Sequence, residues 1–94
     1  MKLEFNKLIL DTDLRLCTVE GNEISLTNFE YKLLLFLISN VNKVFNRKEI
    51  MMEVWKTKVS NHTIDVAISR LRKKLGKSSK HIITRLGFGY GFVK

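Results

Sequence analysis

The chain has one cysteine, Cys17, and no uninterrupted apolar run of membrane-spanning length. A single thiol cannot close an internal disulfide, and no cluster of ligand side chains accompanies it. Neither a disulfide framework nor a metal site is therefore expected, and a reducing, cytoplasmic setting is. A spanning helix needs about 20 apolar residues in succession. The opening stretch MKLEFNKLILD breaks its hydrophobic residues with Asn6, Lys7 and Asp11, so neither a signal peptide nor a membrane segment is expected. Catalytic groupings are missing too. No paired carboxylates stand near a histidine, no nucleophile lies at motif spacing from a base, and there is no GxxxxGK[ST] loop, so the reading is no enzyme and no cofactor. What remains, 94 residues with 45% hydrophobic content, fits one small domain around a single core.

Acidic residues are scarce in one part of the chain only. Residues 1–55 hold 7 Lys and Arg against 8 Asp and Glu, whereas residues 56–94 hold 10 against Asp65 alone. All of the net charge of +8 therefore lies in the C-terminal part. Such one-sided positive charge is the electrostatic footprint of a polyanion binder, which gains affinity by neutralising phosphates and releasing counterions.

The basic part is built around TIDVAISRLRKKL, Thr63 to Leu75. On a helix, Ile64, Ile68, Leu71 and Leu75 form one apolar stripe for a core. Thr63, Val66, Ala67, Arg70, Lys73 and Lys74 make the opposite face, small and neutral at one end and cationic at the other. Such a face can enter a groove of DNA while its tail meets phosphates. The bland alternative is an amphipathic surface helix with solvated charges. Gly76 ends the helix.

Before this helix, residues 1–26 read as an antiparallel β-meander. Leu3 and Phe5, Leu8 and Leu10, Leu14, Leu16 and Thr18, and Ile24 and Leu26 alternate with period two between Asn6-Lys7, Asp11-Thr12-Asp13 and Gly21-Asn22. Thr27 and Glu30 form a capping box that starts a helix running to about Asn40, with Phe29, Leu33, Leu34, Phe36, Leu37 and Ile38 covering most of its surface. Val41-Asn42-Lys43 is a turn. Asn46 and Glu49 mark a second helix, Arg47 to Trp55, with Ile50, Met51, Val54 and Trp55 turned inward; a lone Trp there reads first as a core plug. A polar loop from Lys56 to Asn61 supplies caps for the next helix. After it, residues 77–94 give His81 to Arg85 and Tyr90 to Val93 as the strands of a hairpin around a Gly-rich turn. The whole is an α+β arrangement: meander (1–26), three-helix core with a helix-turn-helix (27–76), and hairpin wing (77–94).

The segments LTNFEYKLLLFL, NKVFNRKEIMMEVW, TIDVAISRLRKKLG and GFGYGF, in that order and spacing, resemble the effector domain of OmpR/PhoB-family response regulators, the winged helix-turn-helix transcription factors of bacterial two-component systems. The resemblance covers essentially the whole chain. It implies sequence-specific double-stranded DNA binding, with Arg70 at base edges in the major groove, Val66 against a thymine methyl and Ala67 on the same face. Thr63, Arg72, Lys73, Lys74, His62 and Trp55 would lie along phosphates. The wing, with Arg85, Leu86, Gly87 and Tyr90, would lie near the minor groove. Relatives place an Arg just before the wing glycine, where this chain has Leu86, so minor-groove readout is expected to be weaker. The loop Lys56-Thr57-Lys58-Val59-Ser60 corresponds to the surface that faces RNA polymerase in activators, and is shorter here.

The family also implies tandem binding to direct repeats and a phospho-accepting receiver domain, which this chain does not contain. The reading is an excised effector domain, monomeric by itself. Two rivals come from other classes. GFGYGFV resembles an aromatic strand of an RNA-recognition module, and a basic helix can dock an acidic protein partner. On this reading Lys74→Ala weakens binding to all duplexes alike and flattens the salt dependence of affinity, as titrations at several ionic strengths would show.

Overall fold

Alternation in the first 24 residues builds four short antiparallel strands paired in chain order: β1 (Lys2–Phe5), β2 (Leu8–Asp11), β3 (Leu16–Val19) and β4 (Asn22–Ile24). The computed structural model describes residues 1–94 throughout. Leu8 faces Val19 and Leu10 faces Cys17 across the β2–β3 pair, and all four are buried. This corrects the expected phase of β3, in which Leu14, Leu16 and Thr18 shared one face. Asp11 Oδ1 accepts hydrogen bonds from the backbone N–H of Asp13 and of Leu14, at 3.0 and 3.2 Å. That turn consumes Leu14, leaves it exposed and starts the strand two residues later, so Cys17 and Val19 point inward. Burial raises the Cys17 pKa to about 11, which keeps the thiol protonated and unreactive.

The capping box forms as read. Thr27 Oγ1 accepts from the Glu30 N–H at 3.2 Å, Glu30 Oε1 accepts from the Thr27 N–H at 2.9 Å, and α1 runs Asn28–Ile38. Leu33, Leu34, Leu37 and Ile38 are buried, but Phe29 is turned out to 42% exposure. Asn42 takes a left-handed φ of 65° in the turn that follows. The next four residues, read only as the approach to a cap, form a strand, β5 (Lys43–Asn46). Its single inward anchor, Phe45, is too short a pattern to announce a strand, and its pairing partner lies more than 40 residues away.

Asn46 closes β5 and caps α2 (Arg47–Ile50) through a second reciprocal box with Glu49, at 2.8 and 2.9 Å. The expected helix to Trp55 does continue, but as a π-helical turn over Met51–Trp55. The Lys56 N–H reaches back five residues to the Met51 carbonyl at 2.9 Å, with Lys56 itself left-handed at φ 58°. The third helix, α3 (Asn61–Leu75), begins two residues before the expected start because Ser60 Oγ accepts from the Thr63 N–H at 3.1 Å. Ile64, Ile68, Leu71 and Leu75 are all buried against α1 and the sheets. Gly76, at φ 55°, ends α3 and opens a 3-10 turn, Gly76–His81.

The wing strands are β6 (Ile82–Arg85) and β7 (Gly89–Phe92), and β5 pairs with β7, so the expected hairpin is a three-stranded sheet of order β5-β7-β6. The two sheets meet through the edge-on contact of Phe5 with Phe92, ring centroids 5.1 Å apart. His81 adds a polar tie there. Its Nδ1–H donates to the Val93 carbonyl at 2.8 Å, and Asn6 Nδ2 meets its Nε2 at 3.2 Å. No helix is long and apolar enough to cross a membrane.

Glycine is required where β5 and β7 touch, because a Cβ at Gly89 would overlap the Phe45 carbonyl oxygen. Gly89→Ala is expected to destabilise the domain by about 1–3 kcal/mol, the usual range for overpacking, measured as a lower midpoint in chemical denaturation.

Candidate nucleic-acid interface

The outward face of α3 carries the residues expected to meet nucleic acid, but the structure divides them into two groups. His62, Thr63, Arg70 and Lys73 are exposed, with Val66 and Ala67 half-buried between them. Val66, Ala67 and Arg70 line one wall of a shallow groove whose other wall is Phe29 and Trp55. Trp55 is half-buried and stacks on Phe29 with ring centroids 5.5 Å apart and planes 12° from parallel. It is thus both a packed residue and part of the surface beside α3.

Arg72 and Lys74, read as phosphate contacts, are engaged within the molecule. Arg72 lies half-buried against the wing. Its Nη2 donates to the Ile82 carbonyl at 2.9 Å and to Thr84 Oγ1 at 2.6 Å, while its Nε donates to the same carbonyl at 3.2 Å. The Lys74 ammonium pairs with the Glu30 carboxylate, which is 5% exposed. Burial alone would push the Glu30 carboxyl up, but hydrogen bonds from Lys74 and Thr27 outweigh it and hold the pKa below its usual value. Removing Lys74 would strand a buried carboxylate, so Lys74→Ala acts on stability as well as on salt dependence.

Tyr90 lies on the wing strand β7, as expected, but its side chain is turned inward. It is 6% exposed, and its hydroxyl donates to Asp65 Oδ1 at 2.6 Å. Arg47, at the start of α2, donates to the same carboxylate through Nε at 2.8 Å and Nη2 at 3.3 Å. The Arg47 hydrogen bond is the largest influence that holds the Asp65 pKa below its usual value, and the Tyr90 hydroxyl adds to it. Asp65 was noticed in sequence only as the lone acid of a basic region. Its neighbours come from α2 and β7, and nothing in linear spacing brings them together.

Of the aromatic run that resembled an RNA-stacking strand, Tyr90 and Phe92 are buried and so closed to bases, and Phe88 alone, in the turn, is 50% exposed. At the wing turn, Arg85 is exposed, Gly87 has φ 74°, and Leu86 is 97% exposed. The loop after α2 is short. Lys56, Thr57, Lys58 and Ser60 are exposed, and Val59 is held by its N–H to Met51 Sδ at 3.4 Å.

A basic third helix set over a three-helix core, with a β-hairpin braced to its side, defines a winged helix-turn-helix module. The chain belongs to the family described as "Transcriptional regulatory protein, C terminal", whose model matches residues 21–92. This is the OmpR/PhoB type of DNA-binding domain. The chain is 41% identical over 96 residues to the transcriptional regulatory protein ResD of Bacillus subtilis, covering 96% of this chain and 40% of ResD. The chain thus spans well under half the length of that curated relative. The response regulator DrrB of Thermotoga maritima, an OmpR/PhoB homologue, superposes with a TM-score of 0.91 at 30% identity, covering 99% of this chain and 44% of DrrB. The DNA-binding domain of Klebsiella pneumoniae RstA, in complex with the RstA box, superposes at 0.88 with 26% identity, covering 98% of this chain and 96% of that domain.

The lowered pKa of Asp65 has a defined consequence for stability. A carboxylate whose folded pKa lies below its usual 3.8 contributes stability above that value and loses it as pH falls through the lower, folded value. Asp65→Asn is therefore expected to be less stable than the parent at pH 7, with the difference shrinking on acidification below 3.8. Urea denaturation at pH 7 and pH 3 measures it, and a difference that did not change with pH would contradict the assignment.

Proposed function

We propose that this chain reads a specific sequence in double-stranded DNA as the output domain of a response regulator, with α3 in the major groove. The observation that carries the reading is the state of the cations on α3. Arg72 is half-buried against the wing and Lys74, though exposed, is paired with Glu30, whereas Arg70 stands exposed beside Val66 and Ala67, where a guanidinium fork suits guanine O6 and N7. RstA, similar in fold over nearly its whole length, is a domain solved in complex with its own DNA box, which supports DNA binding by this fold.

In this assignment Val66 and Ala67 meet base edges or a thymine methyl, while Thr63, His62 and Lys73 hold phosphates. Arg72 and Lys74 act chiefly by fixing α3 to the wing and to α1, and their charge adds to the field felt by the duplex. Trp55 braces the groove wall next to the backbone. A receiver domain in the full-length regulator, binding to direct repeats, a monomeric state for this piece alone and a meeting of the 56–60 loop with RNA polymerase complete the proposal. Its support is family membership and the 40% share of ResD that the chain spans.

Selection from a random duplex pool at physiological salt supplies the site. Against it, Arg70→Ala is expected to lose discrimination at one base pair and to cost about 1–3 kcal/mol. Lys73→Ala should weaken all duplexes alike and reduce the salt slope by about one. An Arg70→Ala variant that weakened every sequence equally would remove the base-reading role.

A further inference from the structure

A groove runs between the outer faces of α1 and α2, with β5 at one end, and no residue of α3 or of the wing lines it. Its floor is aromatic. Phe36 is half-buried and Phe45 buried, with ring centroids 4.5 Å apart and planes 46° from parallel. Met52 lines one side at 56% exposure, whereas Ile50 and Val54 of the same segment are buried. An apolar side chain left in water beside an aromatic floor gains by being covered, and the flexible thioether of methionine adapts to what covers it.

Charge specifies the covering partner. Lys32 and Lys56 stand exposed at one end of the groove and Lys43 and Lys48 at the other, and none of the four is in an ion pair. Lys43 is held over the Phe45 ring, its ammonium 5.1 Å from the centroid. Of the two acids on the rim, Glu49 is engaged in the cap of α2, where its Oε1 accepts from the Asn46 N–H at 2.9 Å, and Glu53 remains. An apolar floor between cationic ends matches an apolar stripe flanked by acids. The element that presents such a stripe to a groove between two helices is an amphipathic helix. The wall from Lys32 to Asn40 is about two helical turns long, about 12 Å, which anchors at i, i+4 and i+7 of a partner helix cover. Nucleic acid does not suit this groove, since Glu49 and Glu53 would face its phosphates.

We propose that the α1–α2 groove docks an acidic amphipathic helix of a partner protein, with Met52 as the central anchor. The site is separate from the outward face of α3, so a protein partner and a duplex can be held together. The inference goes beyond the DNA-binding reading and does not depend on it.

The probe is a synthetic helical peptide of about 16 residues with Leu and Phe at i, i+4 and i+7 and glutamates on both flanks, compared with a twin carrying lysine in place of each glutamate. Titrated into the isotope-labelled domain at low salt, the acidic peptide is expected to bind with a Kd of about 100 μM or tighter and to shift amide resonances of α1, β5 and α2. The lysine twin should bind at least about ten-fold more weakly. Met52→Glu should weaken the acidic peptide about ten-fold and Lys48→Glu about three-fold. Both residues are exposed, so each variant should keep the parent's melting temperature and duplex affinity. No binding of the acidic peptide at millimolar concentration, equal binding of the twin, or equal binding by Met52→Glu would overturn the proposal. Shifts centred on α3 would reduce the effect to attraction by the basic helix, and a Met52-dependent dimer in sedimentation would assign the groove to a second copy; either result overturns it. A parent that selected no duplex motif would remove the DNA-binding reading and leave this one standing.

Discussion

The carboxylate of Asp65 is the point on which the reading surface depends. It takes a hydrogen bond from Tyr90 on β7 and a two-pronged one from Arg47 on α2, and so joins three elements that are far apart in sequence. The Tyr90 hydroxyl enters a nearly closed environment and needs an acceptor there, since an unpaired buried polar group is costly. The Arg47–Asp65 pair itself lies at the rim, with side chains 33% and 40% exposed, so solvent screens its Coulomb attraction and its worth is mainly geometric. The buried stripe Ile64-Ile68-Leu71-Leu75 sets which face of α3 turns outward, and the Asp65 contacts tie that orientation to α2 and β7.

The positive charge of the C-terminal part is therefore divided between two uses. Arg72 and Lys74 hold α3 against the wing and against the buried Glu30, while Arg70, Lys73 and Arg85 stay in solvent. Net charge measures the field that a polyanion feels, but it does not tell which cations are free to touch it. A helix whose basic residues were all solvated would present more charge on a less defined frame. Here part of that charge makes the frame.

Local signals in the sequence carried most of the architecture. Two reciprocal caps, the stripe Ile64-Ile68-Leu71-Leu75 and the left-handed Asn42 are each decided by residues within one or two turns of one another, and each forms as read. What stayed hidden depends on distant partners. The strand β5 exists because β7 offers it a ladder, and the inward phase of β3 follows from an aspartate that spends Leu14 in a turn. The π-turn after α2 leaves no mark in apolar spacing, since one carbonyl bonded five residues ahead changes the path without changing the pattern. At the candidate site, the outward face of α3 was legible, but the internal partners of Arg72, Lys74 and Tyr90 were not. All three side chains reach across the fold to groups 10 to 44 residues away.

The tie between His81, Asn6 and Val93, with Phe5 lying on Phe92, has a mechanical meaning. The first hairpin of the meander and the last strand of the wing sheet share one seam, so neither can fray without loosening the other. Amide protons of β1, β2 and β7 are then expected to exchange as a single cooperative opening unit.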